Sequence, residues 1–100
     1  MVDFANRPKS FSLGRLLATP GALKALEQSG EEALPYLLRH ARGDWGVVCD
    51  EDKRLNDEAL KDGDRLVSAY ELKDGTKIWV ITEADRSATT LLMPVMPMSA

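Results

Sequence analysis

After Asp64 the hydrophobic pattern changes period, and no other feature limits the fold as much. Before that point apolar residues recur at helical spacing; after it they alternate. Arg65-Leu66-Val67-Ser68-Ala69-Tyr70-Glu71-Leu72 reads as a strand, and Lys77-Ile78-Trp79-Val80-Ile81-Thr82 as its return. Asp74-Gly75 between them is the strongest short hairpin signal, read as a two-residue type I′ turn. That turn pairs residue 72 with 77, 70 with 79 and 68 with 81. Leu66, Ser68, Tyr70, Leu72, Trp79 and Ile81 then share one face, and Val67, Ala69, Ile78 and Val80 the other. Both faces are partly apolar, which places the hairpin centrally, with helices over at least one side. Ala88-Thr89-Thr90-Leu91-Leu92-Met93 supplies a third antiparallel strand, stopped by Pro94.

The helical half carries its own punctuation. Thr19-Pro20 is a start signal, because a threonine hydroxyl accepts from orphan N–H groups and proline at N1 has no N–H to satisfy. The first helix is expected from Pro20 to about Gln28. Ser29-Gly30 breaks it, with Ser29 as the cap of a second helix from Glu31 to about Arg42. Leu34, Leu37, Leu38 and Ala41 form its apolar stripe. Acids open it, bases close it, and Gly43 follows at C′. Trp45, between Gly43-Asp44 and Gly46, is expected to fold back onto the helices. Asp50 caps a third helix, Glu51 to about Asp62, ending at Gly63, with a thin stripe of Leu55, Ala59 and Leu60. Phe11 through Ala18 reads equally as a short strand or a first helical turn. Residues 1–10 read as a loose arm, 11–94 as one domain and 95–100 as a frayed tail.

Composition narrows the function. Residues 1–43 carry six Lys/Arg against four Asp/Glu, residues 44–64 three against eight, and residues 65–100 four against four. No strongly basic face results, so nucleic-acid binding is disfavoured, although Arg15, Lys24, Arg39 and Arg42 could form a local patch. The single cysteine, Cys49, forms no intrachain disulfide and fits a reducing compartment. The N-terminal residues lack a secretory layout, and no apolar run approaches the roughly 20 residues of a membrane span. A cytoplasmic protein is expected.

Sites for chemistry are sparse. His40 and Cys49 have no ligand-spaced partners, so no metal and no cofactor is expected; His40 reads as serving its helix dipole. Asp50-Glu51-Asp52 resembles the opening of a calcium loop, but Leu55 stands at the sixth position, where glycine is required. Asp64 with Glu71-Leu72-Lys73 has the spacing of a magnesium nuclease site. No Gly-rich phosphate loop and no nucleophile elbow is present. What is left is the polar connection Thr82, Glu83, Asp85, Arg86, Ser87, Thr89 and Thr90. It reads either as a self-bonded loop or as a recognition surface with Arg86 as a forked donor. Trp45, Tyr70 and Trp79 read as core.

Several stretches carry a resemblance: Gly43-Asp44-Trp45-Gly46, Asp52-Lys53 with Asn56, Arg65 with Ser68 and Tyr70, and Gly75 through Thr90, with Thr19-Pro20-Gly21-Ala22-Leu23 fitting as well. Together they span about residues 13–94. The chain resembles a family of small bacterial proteins associated with plasmids and other mobile elements. Members are labelled "plasmid-related protein" or "type I restriction endonuclease subunit M". After Met93-Pro94 that family continues with an acidic pair and a tyrosine; here Val95-Met96-Pro97-Met98 follows. The resemblance implies a stand-alone domain of bacterial cytoplasm and supplies no activity. A methyltransferase would need a glycine-rich cofactor loop and far more chain.

The expected architecture is α+β: about three N-terminal helices packed on a three-stranded antiparallel β-meander, with an extra strand near residues 11–17 left open. The expected function is a non-enzymatic protein-binding or regulatory module, monomeric or weakly dimeric. It would use the 82–90 surface or the acidic third helix against a protein partner. The alternatives are a small metal-dependent nuclease or ribonuclease-like toxin, and an RNA-binding module.

Overall fold

The computed structural model describes residues 11–94, so the expected arm at 1–10 and tail at 95–100 lie outside the described residues. The order of elements is β1 (Arg15–Ala18), α1 (Pro20–Ser29), α2 (Leu34–Ala41), α3 (Asp50–Asp62), β2 (Leu66–Glu71), β3 (Lys77–Thr82) and β4 (Ala88–Leu92). The strands form one four-stranded sheet in the order β1-β4-β3-β2. The α+β class stands, but the three-stranded antiparallel meander behind N-terminal helices does not. A strand precedes the helices, and it pairs parallel with β4, Arg15 opposite Ala88 and Ala18 opposite Leu91. The sequence Arg-Leu-Leu-Ala has no alternation and no β-branched residue, so only its docking on β4 makes it a strand. Gly14 permits the approach. A Cβ there would lie 2.5 Å from the carbonyl oxygens of Arg86 and Ser87.

Of these three helices only α1 opens on a side-chain cap. Thr19 Oγ1 accepts from Ala22 N at 3.2 Å, and Pro20 opens α1 as expected. The second helix begins three residues later than its acids suggest, because Pro35 is tolerated only in a first turn. Glu31 is thereby released from the helix. Its carboxylate accepts from the Ser29 and Tyr36 hydroxyls and from Lys73 N, tying the β2–β3 turn to α2. These donors, the Ser29 hydroxyl foremost, hold the Glu31 carboxyl down at about 2. Ser29 therefore serves Glu31 rather than capping α2. The buried face of α2 is Tyr36, Leu37, His40 and Ala41, whereas Leu34 and Leu38 stay exposed. Cys49, not Asp50, occupies the N-cap of α3, without a side-chain bond.

The hairpin register differs from expectation by one residue. Glu71 pairs with Lys77, Tyr70 with Ile78 and Ser68 with Val80. Gly75 N donates to Leu72 O at 2.9 Å and Leu72 N to Thr76 O at 2.7 Å, and Gly75 has φ +91. The connection is thus a three-residue turn with a left-handed glycine, not a two-residue type I′ turn. A one-residue slip exchanges the faces of the return strand. Ile78, Val80 and Thr82 join Leu66, Ser68, Tyr70 and Leu72 on the buried face, where α1 and α2 cover all but Leu66, which packs against Trp45 and Ala59. Trp79 and Ile81 go to the outer face beside Val67 and Ala69. Trp45 folds onto α3, as expected, donating from Nε1 to Asp57 Oδ1 at 3.0 Å and packing with Ala59 and Leu66.

The two sheet edges are treated differently. At the β2 edge the Asn56 amide acts as a surrogate strand, donating to Val67 O at 2.8 Å and accepting from Val67 N at 3.1 Å. Two residues on, Ala69 O accepts from Val47 N at 2.7 Å and Ala69 N donates to Trp45 O at 3.1 Å. That edge is closed. At the β1 edge Arg15 N and Thr19 N donate inward to Ser87 O and Leu91 O. By the pleat, the N–H and C=O groups of Leu16 and Ala18 point outward, and they bond no other described residue.

Candidate functional site

The buried face holds a polar chain that sequence reasoning missed. His40 is wholly buried. Its Nδ1 lies 2.5 Å from Ser68 Oγ and its Nε2 2.9 Å from Thr82 Oγ1. Thr82 Oγ1 lies 2.6 Å from Thr89 Oγ1, which donates to Leu13 O at 2.7 Å. Counting protons assigns every donor. Thr89 spends its hydrogen on Leu13 O, so Thr82 donates to Thr89. His40 Nε2–H must then donate to Thr82, and Nδ1 accepts from the Ser68 hydroxyl. The relay joins α2, β2, β3, β4 and the segment leading into β1. Phe11 and Trp45 close it with their rings 5.1 and 5.6 Å from the imidazole. Burial, and secondarily the Arg86 charge, push the His40 imidazole down to about 4, so it is neutral at physiological pH. Ser68 is as buried as His40, so the pair is a structural relay and not a hydrolytic dyad open to substrate. The legible signal was Ser68, Thr82 and Thr89, three hydroxyls at inward positions once the register is right.

The polar connection at 82–90 is divided by the fold. Thr82 and Thr89 belong to the relay. Arg86 sits in the left-handed region at φ 62, and its guanidinium is wrapped by backbone carbonyls. Nη1 donates to Asp64 O at 2.7 Å, Ala84 O at 3.1 Å and Glu83 O at 3.2 Å, and Nη2 to Ala59 O at 3.2 Å. Ala59 O belongs to the last turn of α3, so the cation also meets the negative end of that helix. The Ser87 hydroxyl foremost, and Ser87 N, which donates to Asp85 Oδ1 at 3.0 Å, lower the Asp85 carboxyl. Glu83 Oε1 lies 3.6 Å from Arg65 Nη2. Thr90 is on the outer face, opposite Ile81. Glu83, Asp85 and Ser87 are what this loop offers to solvent.

Arg86→Lys is therefore expected to destabilise the domain by about 1–2 kcal/mol, because an ammonium cannot reproduce the fork. Arg86→Ala is expected to cost about 2–3 kcal/mol. Urea denaturation of the two variants beside Asp85→Ala, which should change little, checks this.

On the outer face α3 and the sheet enclose a groove of about 610 Å³. Val48, Leu55, Val67, Ala69 and Trp79 supply its apolar walls, and Asp52, Asp64 and Arg65 its rim. Trp79 is 37% exposed and Leu55 47%. A larger open hollow of about 790 Å³ lies beside α2, between Tyr36, Leu38, Arg39 and Lys73. Two of its charged side chains are engaged: Glu31 as described, and Arg39 with Asp44 at 2.7 Å while stacked over Tyr70.

The nuclease constellation is not assembled. Asp64 precedes β2 and Glu71 ends it, and a strand rising about 3.3 Å per residue holds them roughly 20 Å apart. Among the described residues no group of three or more His, Cys, Asp or Glu side chains could hold a metal ion. Nor is any helix among them long and apolar enough to cross a membrane. No family model, no curated protein and no solved structure matches this chain.

Proposed function

We propose that this protein is a non-enzymatic protein-binding module that docks a basic segment of another protein in the groove between α3 and the outer sheet face. The observation that carries this reading is the Trp79 indole. It stands on an outward face of the sheet, in an apolar groove shared with Leu55, whose rim carries Asp52, Asp64 and an Arg65 paired with Glu83. Half-exposed tryptophans beside aliphatic walls are the usual anchors of protein interfaces. Asp52, in the acidic first turn of α3, and Asp64, beyond its last turn, both line this groove. Such a rim favours Lys or Arg around a bulky apolar anchor. The Arg65–Glu83 pair continues the surface onto the 82–90 loop, where Glu83, Asp85 and Ser87 extend the rim.

Calorimetric titration with two synthetic peptides tests the reading. Both carry a central Leu-Trp anchor, one flanked by lysines and the other by glutamates. The lysine peptide is expected to bind, to weaken with salt, and to lose about tenfold in affinity with Trp79→Ala or with Asp52→Asn/Asp64→Asn. Equal binding of both peptides, binding of neither, or affinity untouched by these variants sinks the proposal.

A further inference from the structure

We infer that the β1 edge is a dimer interface, at which β1 pairs antiparallel with β1 of a second copy about a twofold axis. The surface is separate from the groove described above. The two edges of the sheet differ. The β2 edge is closed by Asn56 and by the Trp45–Val47 backbone, whereas the outward N–H and C=O groups of Leu16 and Ala18 bond no other described residue. Leu16 and Leu17 beside them are 53% and 42% exposed. An open edge carrying leucines is a template for another strand.

The pleat and the twofold then select one register. Residues opposite each other in a sheet point to the same side, and a twofold perpendicular to the sheet keeps the helical layers of both copies together. The axis must therefore lie midway between the two strands, level with a residue that faces its own copy, and not level with a point between two residues. The outward-bonding residues are Leu16 and Ala18, so centring the axis on Leu17 sets Leu16 against Ala18 of the second copy and Ala18 against its Leu16. Both are hydrogen-bonded pairs, and together they satisfy the open groups of each edge. Leu17 meets Leu17 of the second copy as a close, non-hydrogen-bonded pair. The outer-face row Val67–Ile81–Thr90–Leu17 then continues without a break into the same row of the other copy.

Charge fits the same occupant. Arg15 is the only charged residue of the strand, and this register sets it against Thr19 of the second copy, away from the other Arg15. No like charges face each other. Four residues a side is far below the roughly 20–30 of a standard interface, so the dimer is weak and concentration-dependent.

Sedimentation velocity of the full chain from about 10 µM to about 1 mM reads this out, over a range that brackets the affinity of a small interface. The mass is expected to rise from monomer to dimer. Leu17→Lys, which sets two ammonium groups face to face, is expected to stay monomeric throughout with an unchanged circular dichroism spectrum. Leu23→Lys, at a still more exposed leucine on α1, is expected to dimerise normally. The register has its own readout in a Cys49→Ser background. Leu17→Cys should form an intermolecular disulfide on mild oxidation, and Leu16→Cys should not. A wild-type chain that is monomeric at the top concentration overturns the inference. So does a dimer that survives Leu17→Lys, or one that cross-links through position 16 instead of 17.

Discussion

Gly46→Ala is expected to cost more than about 4 kcal/mol, a large part of the roughly 5–15 kcal/mol available to a domain of this size. Gly46 sits at φ +79, and a Cβ there would lie 1.9 Å from Ala69 O and 2.7 Å from Tyr70 Cδ1. Neither neighbour can yield. Ala69 O is held in the edge of β2, where it accepts from Val47 N, and Tyr70 is wholly buried with its hydroxyl on Asp44 O at 2.5 Å. The variant must lift the Trp45–Val47 segment off the sheet, which breaks both bonds to Ala69 and withdraws Trp45 from α3. Gly63→Ala is the control. Gly63 has the same φ of +79 but nothing within 4 Å of its missing Cβ, so only backbone strain is added, about 1 kcal/mol. Urea titrations of the two variants should therefore differ by several kcal/mol. Equal losses would show that conformation alone, not the close approach, requires glycine at position 46.

The second large effect concerns His40. Folded, its imidazole titrates at about 4; unfolded, at its ordinary value of 6.5. Between these values the unfolded chain binds the proton and the folded one does not, so stability falls as pH falls. The loss begins near pH 6.5, is complete near pH 4, and amounts to about 3 kcal/mol at 1.36 kcal/mol per pH unit. Protonation also reverses the relay, since Nδ1 can no longer accept from the Ser68 hydroxyl. Glu31 adds a further decline at lower pH, because its depressed carboxyl loses its bonds only below the ordinary value of 4.5. Denaturant midpoints at pH 7.5, 6, 5 and 4 should trace this slope. In His40→Gln, which keeps hydrogen-bonding capacity without titrating, the slope between pH 6.5 and 4.5 should flatten even though the variant is less stable throughout. His40→Ala takes the acceptor from the buried Ser68 hydroxyl and the donor from Thr82, which keeps only its bond to Thr89, and is expected to cost about 3–5 kcal/mol at neutral pH. A slope unchanged in His40→Gln would assign the acid sensitivity to other groups.

Much of this molecule was legible in short stretches of chain. Thr19 and Pro20 open α1, Gly63 closes α3, and the change of period at Asp64 marks where helices give way to strands, because caps and periodicity act over a few residues. The Asp74-Gly75 turn was legible as a turn but not by length. One left-handed glycine at the end of a three-residue loop moved Trp79 from the expected core to the outer face. That slip also hid the relay, since the expected register put Thr82 opposite the wrong face. The 82–90 cluster was legible as unusual, yet its division among relay, clamp and rim depends on carbonyls at Ala59 and Asp64, on another element.

Local chemistry alone thus determined where α1 begins, where α3 ends, where the hairpin turns, and that the two halves differ in kind. Only the tertiary structure decided that Arg-Leu-Leu-Ala is a strand, that His40 is a buried relay rather than a helix-end charge, and that one sheet edge is closed and the other open. The physical reason is sequence distance. Thr89 reaches Leu13 across 76 residues and His40 reaches Thr82 across 42, and no local propensity encodes such partners. They are selected when the apolar faces pack and every buried hydroxyl must find a neighbour.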